Sequence, residues 1–381
     1  MNPASTASSR ALQYLLFAVA LLPFYLLPLW AGVFSSEFKF SGSQLGLLLA
    51  ADMALGTLAS LLARTWIHRW QWKPVLVGAI LITSLSNLAC VTTTAYTGLL
   101  ILRCVAGFGA GTMMAFPYAS LSSCENPDRE FSLALALQVC LGAVALLLVA
   151  RLDPSGSEGM GFYLCAAGAL LPIFLLTSCP ARNPAVGAEA DTAAAEQPLS
   201  MFLVLALGAV CLFFTALTAI WIFMERLGNE VGIGSSLVAS ILALGLLFSF
   251  AGAVTPSLAI AFTSRKTLVV IAYACLLLSV MGTGLSSLAL VFAVSIIIYN
   301  FFYSFMIPLQ TAWIAETDHT GRNAVLVPVA QGVGVTAGPV LAGTVSARWQ
   351  GTGVIIFSLL VLAASLACYL LAARSPARDS G

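Results

Sequence analysis

Residues Met201 to Met224 read MFLVLALGAVCLFFTALTAIWIFM, twenty-four positions without one charged side chain. Coiled as an α-helix at 1.5 Å per residue, such a stretch is about 36 Å long, enough to cross a hydrocarbon layer of roughly 30 Å. It has company on both sides. Working outward, apolar runs fall near 11–34, 44–63, 74–93, 97–120, 131–150, 160–178, 201–224, 235–262, 267–285, 287–313, 324–345 and 351–373. Almost every charge sits in a short break between these twelve runs, so lipid is the solvent in which the chain folds.

Composition points the same way. Hydrophobic residues make up 60% of the 381, charged residues only 8%, and mean hydropathy is +1.00. A soluble domain carries about 25% charged residues and needs them to cover its surface. Because lipid offers no hydrogen-bond partners, the backbone must satisfy itself within helices. A membrane barrel would alternate polar and apolar residues, and these runs are continuous. The sequence therefore predicts an all-α membrane protein of twelve transmembrane helices. Met1 to Arg10 is polar and leads into an apolar stretch longer than a signal-peptide core, which reads as a retained first span.

Several classes of function are disfavoured. The net charge of +1 comes with no basic patch, so no nucleic-acid partner is expected. None of the nine cysteines forms C-x-x-C, which indicates neither a metal site nor a disulfide framework, and no cofactor is expected. No G-x-x-x-x-G-K-[ST] loop is present for ATP. An integral membrane enzyme would gather His, Asp or Glu at one membrane face, yet only His68 and His319 occur, without H-E-x-x-H. A non-transporting sensor with a transporter-like body is the other competing class, and neither terminus supplies the soluble appendage it would need.

Orientation follows from the positive-inside rule. With the N-terminus in the cytoplasm, eleven Lys and Arg fall inside: Arg10, Arg64, Arg69, Lys73, Arg129, Arg182, Arg265, Lys266, Arg322, Arg374 and Arg378. Four fall outside (Lys39, Arg151, Arg226, Arg348), and Arg103 lies within a span. Both termini are thus expected in the cytoplasm, with the cell (inner) membrane as the location. Trp66, Trp70 and Trp72 would anchor the inner end of the second span.

The chain also repeats itself. Lys73, Glu125, Arg129 and Gln138 recur as Lys266, Asp318, Arg322 and Gln331, each displaced by 193 residues. Cys179 to Ser200, rich in proline and alanine, reads as a cytoplasmic linker. The expected domains are a six-helix bundle over 1–178, the linker over 179–200, and a second six-helix bundle over 201–381. Parallel repeats about an axis along the membrane normal are a transporter plan whose substrate site lies between the halves.

At this point the residues resemble the major facilitator superfamily, over nearly the whole chain. Arg103-Cys104-Val105-Ala106-Gly107-Phe108-Gly109-Ala110-Gly111 in the fourth span is similar to the family's R-x-x-x-G-x-G-x-G signature. Gly334-Val335-Thr336-Ala337-Gly338-Pro339 in the eleventh span is similar to G-x-x-x-G-P of family antiporters. That motif belongs in the fifth span, which has only Gly142. In the loop between spans two and three, Arg69 and Lys73 keep the family's basic character, whereas His68 stands where an acid is expected. The resemblance implies a secondary transporter that works by alternating access on a small organic solute, coupled to protons. A monomer in the bilayer is expected.

Candidate residues follow from depth and motif. An ionisable side chain inside a membrane is costly and is a functional candidate by default. Counting 1.5 Å per residue from the outer ends of their spans puts Asp52 about 12 Å deep and Arg103 about 9 Å deep. A shared network is expected, with Asp52 exchanging a proton under the influence of Arg103. The resemblance implies a cavity lined by spans one, four, seven and ten, and its candidates are Tyr25, Trp221, Tyr299, Asn300, Tyr303 and Gln310. Gly107, Gly109, Gly111, Gly334, Gly338 and Pro339 form the expected conformational motif, packed closely as small residues are in membranes. Arg129 and Arg322 are candidates for ion pairs at the cytoplasmic rim. Glu225 and Arg226 cap span seven, in a vestibule or at a solvated end.

Overall fold

A continuous apolar run leaves each backbone amide one available partner, the carbonyl one turn back, and helices result. The computed structural model describes residues 3–67, 69–121, 124, 127–152, 158–179, 200–285, 288–316 and 326–374, and no strand occurs among them. The first span is two helices, α1 (Pro3–Ala20) and α2 (Leu22–Ser36), broken at Leu21 just ahead of Pro23. A proline in a helix's first turn gives up an amide that had no partner there. Then follow α3 (Gly42–Trp66), α4 (Trp72–Cys90), α5 (Tyr96–Leu121), α6 (Pro127–Leu152) and α7 (Glu158–Leu170), which tightens into a 3-10 segment over Leu171–Ser178. After residue 200 come α8 (Met201–Glu230), α9 (Ser235–Ala259), α10 (Arg265–Leu285), α11 (Ala289–Glu316) and α12 (Leu326–Ala372).

Eleven of these stretches are long and apolar enough to cross a membrane, and the last is 47 residues long. At Gln350, φ 53° and ψ −150° break the helical path within α12. A non-glycine residue at positive φ is strained, and here it divides the stretch into the eleventh and twelfth spans.

Local sequence explains where several helices begin. Ser41 and Gln44 form a capping box ahead of α3: the Ser41 amide donates to Gln44 Oε1 at 2.9 Å, and the Gln44 amide to Ser41 Oγ at 3.3 Å. Ser200 Oγ accepts from the Leu203 amide at the start of α8, and Ser264 Oγ from the Thr267 amide at the start of α10.

The displacement of 193 governs the helix boundaries themselves. Adding it to Gly42–Trp66 gives 235–259, the bounds of α9, and adding it to 72 and 96 gives 265 and 289, where α10 and α11 begin.

Contacts divide the chain into two packing units. The first comprises Met1–Leu26, Ala51–Ala145 and Glu158–Pro198; the second comprises Leu27–Ala50, Leu146–Ser157 and Leu199–Gly381. In the first, Leu16, Leu76, Ile80, Met113 and Phe116 form part of one buried core. Trp72 belongs to that core and not to the membrane surface: it is 1% exposed, its indole donates to the Ile67 carbonyl at 2.7 Å, and its ring meets Phe116 edge-on at 5.1 Å. Trp70 is 58% exposed and stacked on the half-buried Trp66. Most of the linker, with His68, Arg322 and Asp318, lies outside the described residues.

Candidate functional site

Among the described residues of the first unit, the ion pair buried on both sides lies where α3, α4 and α5 meet. Glycines on one side of α5 let neighbouring backbones come close, since a Cβ at Gly107 would strike the Asp52 backbone of α3 and one at Gly111 would strike Gly56. Gly109 serves a different neighbour, α4, where a Cβ would lie 3.0 Å from the Ala79 carbonyl oxygen. Ser60 Oγ donates to the Gly111 carbonyl at 2.9 Å across the same α3–α5 contact.

One turn from Gly107, Arg103 donates through Nη2 to Asp52 Oδ2 and forms an ion pair. The two side chains are 3% and 2% exposed. Arg103 Nη1 also donates to Asn87 Oδ1 at 2.8 Å, and the Asn87 amide is fixed in turn by donating to the Thr83 carbonyl at 2.8 Å. The guanidinium sits 5.7 Å from the centre of the Phe162 ring. Asp52 Oδ1 is buried without a hydrogen-bond partner. The carboxylate therefore has one oxygen committed to the cation and one open to a proton.

The repeat supplies a control for this cluster. Positions 52, 87, 103 and 107 correspond to Gly245, Val280, Ile296 and Asn300. The α9–α11 crossing is built on the same close approach, for a Cβ at Gly245 would lie 2.7 Å from Asn300 Nδ2 and 2.9 Å from Ile296 Cγ2. Ser249 Oγ donates to the Asn300 carbonyl at 3.1 Å there. Side chain and glycine have exchanged places between the two crossings, and the second contains no charge at any of the four positions. That second crossing forms without an ion pair at these positions.

The cavity candidates are held within their own units. Tyr25 Oη accepts from Gln138 Nε2 at 2.9 Å, and Gly142 lies against its ring, with a Cβ there 2.7 Å from Tyr25 Cγ. Trp221, Tyr299, Tyr303 and Phe213 form a ladder of near-parallel rings with centroids 6.3, 6.2 and 6.2 Å apart. Tyr299 Oη donates to the Leu217 carbonyl at 2.7 Å and Asn300 Nδ2 to the Ile296 carbonyl at 3.0 Å. Gln310 is buried near Tyr273, whose hydroxyl shares a 2.7 Å hydrogen bond with Ser365. Arg129 is exposed.

The second glycine motif lies between two partners in the second unit. A Cβ at Gly338 would lie 2.7 Å from the Thr215 carbonyl of α8 and one at Gly334 2.7 Å from Phe214 Cβ, also on α8. Pro339 and Gly343 face the beginning of α3, where a Cβ at Gly42 would sit 2.6 Å from the Gly343 carbonyl.

Sequence reasoning missed two features. Asn87 completes the cluster, and a lone amide within the apolar run of α4 was its signal. Glu225 is not at a solvated end: it is 4% exposed and packed against Gly32. The signal was arithmetic, since 32 plus 193 is 225.

Comparison with known proteins gives this geometry its setting. Among curated proteins no sequence match was found. A mutant form of the nucleoside transporter NupG superposes with a TM-score of 0.76 at 12% identity, covering 95% of this chain and 98% of that one. A D-xylose-proton symporter superposes at 0.73 and 15% identity, covering 97% and 98%. A bacterial homologue of the human lysosomal transporter Spinster, inward-facing and unoccupied, does so at 0.73 and 13%, covering 98% of each chain. At such identities the likeness concerns the fold. The family model described as Major Facilitator Superfamily matches residues 13–325, and the chain belongs to that superfamily of membrane transporters.

Proposed function

We propose that this protein is a secondary active transporter that moves a small organic solute by alternating access, driven by protons exchanged at Asp52. The observation that carries this reading is the asymmetry of the repeat. A buried ion pair contributes little net stability, because desolvation of both charges offsets their attraction. The second crossing forms with Gly245 and Ile296, so packing does not account for Asp52 and Arg103. A selected function does.

In the paired state Arg103 holds Asp52 as a carboxylate through Oδ2, with Asn87 keeping the guanidinium aimed. A proton arriving at Oδ1 neutralises the carboxyl and weakens the ion pair. Arg103 then retains Asn87, and α3 is released to slide along the glycine face of α5. Proton binding is in this way converted into movement of a helix contact, which is what coupling requires.

The solute class follows from the candidate lining. Tyr299 directs its donor at a backbone carbonyl and is buried with Trp221 and Phe213, so Tyr303, half-buried at the ladder, is the ring that would meet a solute. Neutral, ring-bearing solutes fit such a lining; nucleosides and pentoses, the solutes named for two of the superposed transporters, are the first to try. We further propose that both termini face the cytoplasm, from the Lys and Arg distribution, and that the chain works as a monomer in the cell membrane.

The test is reconstitution into vesicles with a trapped pH dye, followed by a panel of nucleosides, pentoses and amphipathic aromatic compounds. Proton movement that starts on addition of one solute class supports the reading. Solute entry unaffected by collapsing the pH gradient would refute proton coupling.

A further inference from the structure

Gly32 on α2 and Glu225 on α8 are equivalent positions of the repeat, and they touch each other: a Cβ at Gly32 would collide with the Glu225 carboxyl. Two more contacts flank this one. The start of α3 packs on α12 through Gly42 and Gly343, and the start of α9 packs on α6, where Ser236 Oγ donates to the Ala150 carbonyl at 3.1 Å. Since 150 plus 193 is 343, these are the same crossing made twice. A contact between mutual equivalents, framed by two contacts that interchange, is the mark of a seam between repeats. All of these residues belong to the second packing unit.

Glu225 is an unusual group to bury in such a seam. Its Oε1 accepts from Asn229 Nδ2 and from Ser235 Oγ, both at 2.6 Å. Its Oε2 is buried with no hydrogen-bond partner and faces the notch left by the missing side chain of Gly32. Arg226 is turned away to Glu230 at 3.0 Å, and α9 carries no titratable side chain. Tyr25, the one titratable residue of α2, is bound to Gln138. Among the described residues Arg151 and Arg348 form no ion pair with Glu225. Asn229 is exposed, so water reaches the rim of the cluster. A bare carboxylate in this place is costly, whereas the neutral acid is tolerated.

We propose that Glu225 is a second proton-binding carboxyl, one that gates the seam: protonated it fills the notch at Gly32 and the seam closes, and ionised it draws water and the seam opens. This rests on the alternating-access reading above, with the seam at the outer ends of the spans. The acid differs in kind from Asp52, because no cation holds it.

Ser346 provides the reporter. It is 4% exposed within the α3–α12 crossing, and a Cβ at Gly42 would lie 2.8 Å from its Oγ. In purified Ser346→Cys protein, alkylation by a polar maleimide, followed at the peptide that carries residue 346, measures opening without any transported solute. After correction for thiolate formation, labelling is expected to rise about tenfold between roughly pH 5 and pH 9 as the carboxyl ionises. Adding Glu225→Gln should hold labelling slow at every pH, and adding Gly32→Ala should keep it fast by expelling the carboxyl. Labelling of Ser346→Cys that ignores pH overturns the proposal, as does a pH response that survives in Glu225→Gln. Should Glu225→Gln fail to fold, slow labelling in Gly32→Ala overturns it instead. Loss of solute-driven proton flux in the wild-type protein with the labelling response intact would sink the transport reading and leave the gate standing.

Discussion

Arg103 holds the carboxylate of Asp52 where α5 crosses α3, and the equivalent crossing of α11 with α9 puts Ile296 beside Gly245. One scaffold thus exists in a charged and an uncharged version within a single chain. That comparison separates what a helix crossing requires from what the proposed proton exchange requires, and it makes the first prediction quantitative.

Replacing the cluster by the side chains of its own counterpart, Asp52→Gly with Asn87→Val and Arg103→Ile, should leave stability nearly unchanged. Exchange of a buried ion pair for apolar groups is often neutral or stabilising by about 1–4 kcal/mol. Arg103→Ile alone leaves Asp52 without its cation and should cost about 3–5 kcal/mol. Thermal unfolding of the purified variants in detergent checks both. Equal destabilisation by the single and the triple variant contradicts the argument.

Close helix approach makes a second prediction. Gly107→Ala and Gly252→Ala place a methyl group into the backbones of Asp52 and Phe301, and overpacking of this kind costs about 1–3 kcal/mol. Gly208→Ala, where a Cβ meets nothing within 4 Å, should not lower the unfolding midpoint. A midpoint lowered equally in all three would show that the crossings tolerate separation.

The aromatic ladder should separate packing from recognition. Tyr299→Phe removes the hydrogen bond to Leu217 and should cost about 0.5–1.5 kcal/mol of stability with no change in solute affinity. Tyr303→Ala deletes a ring from the stack and should raise KM for the transported solute. Titration of solute uptake in vesicles measures the contrast, and the opposite ranking would move the solute away from this face.

Cys179, just past the sixth span, gives a pH prediction. Burial pushes its thiol up to about 11, with Lys73 pulling modestly the other way. Only the thiolate alkylates, so reaction should be slow near neutrality and should quicken as pH rises towards that value. Lys73→Gln removes the opposing influence and should slow it further. Rapid alkylation near pH 7, read by mass spectrometry, would contradict the burial.

Much of this architecture was legible in the residues because membrane folding is dictated by hydropathy. Every break between apolar runs ended a helix except the one marked by the kink at Gln350 inside α12, and one further break, at Leu21, fell within an apolar run. The pairing of Asp52 with Arg103 was within reach because two costly residues at similar depth have few ways to be satisfied. Trp72 was misread because a tryptophan beside charged residues looks like an anchor until its indole proves to be committed to Ile67. The burial of Glu225 was hidden for a different reason. Nothing in its neighbourhood along the chain marks the notch at Gly32, nearly two hundred positions away, and only the register of the repeat brings them together.

The account turns on whether Asp52 carries the proton. Asp52→Asn keeps the shape of the side chain and its hydrogen bond with Arg103 while abolishing titration. Vesicles containing this variant should exchange labelled solute for unlabelled solute at close to the wild-type rate, yet fail to accumulate it against a gradient when a pH difference is imposed. Accumulation at the wild-type level would place the driving proton elsewhere and contradict the central claim.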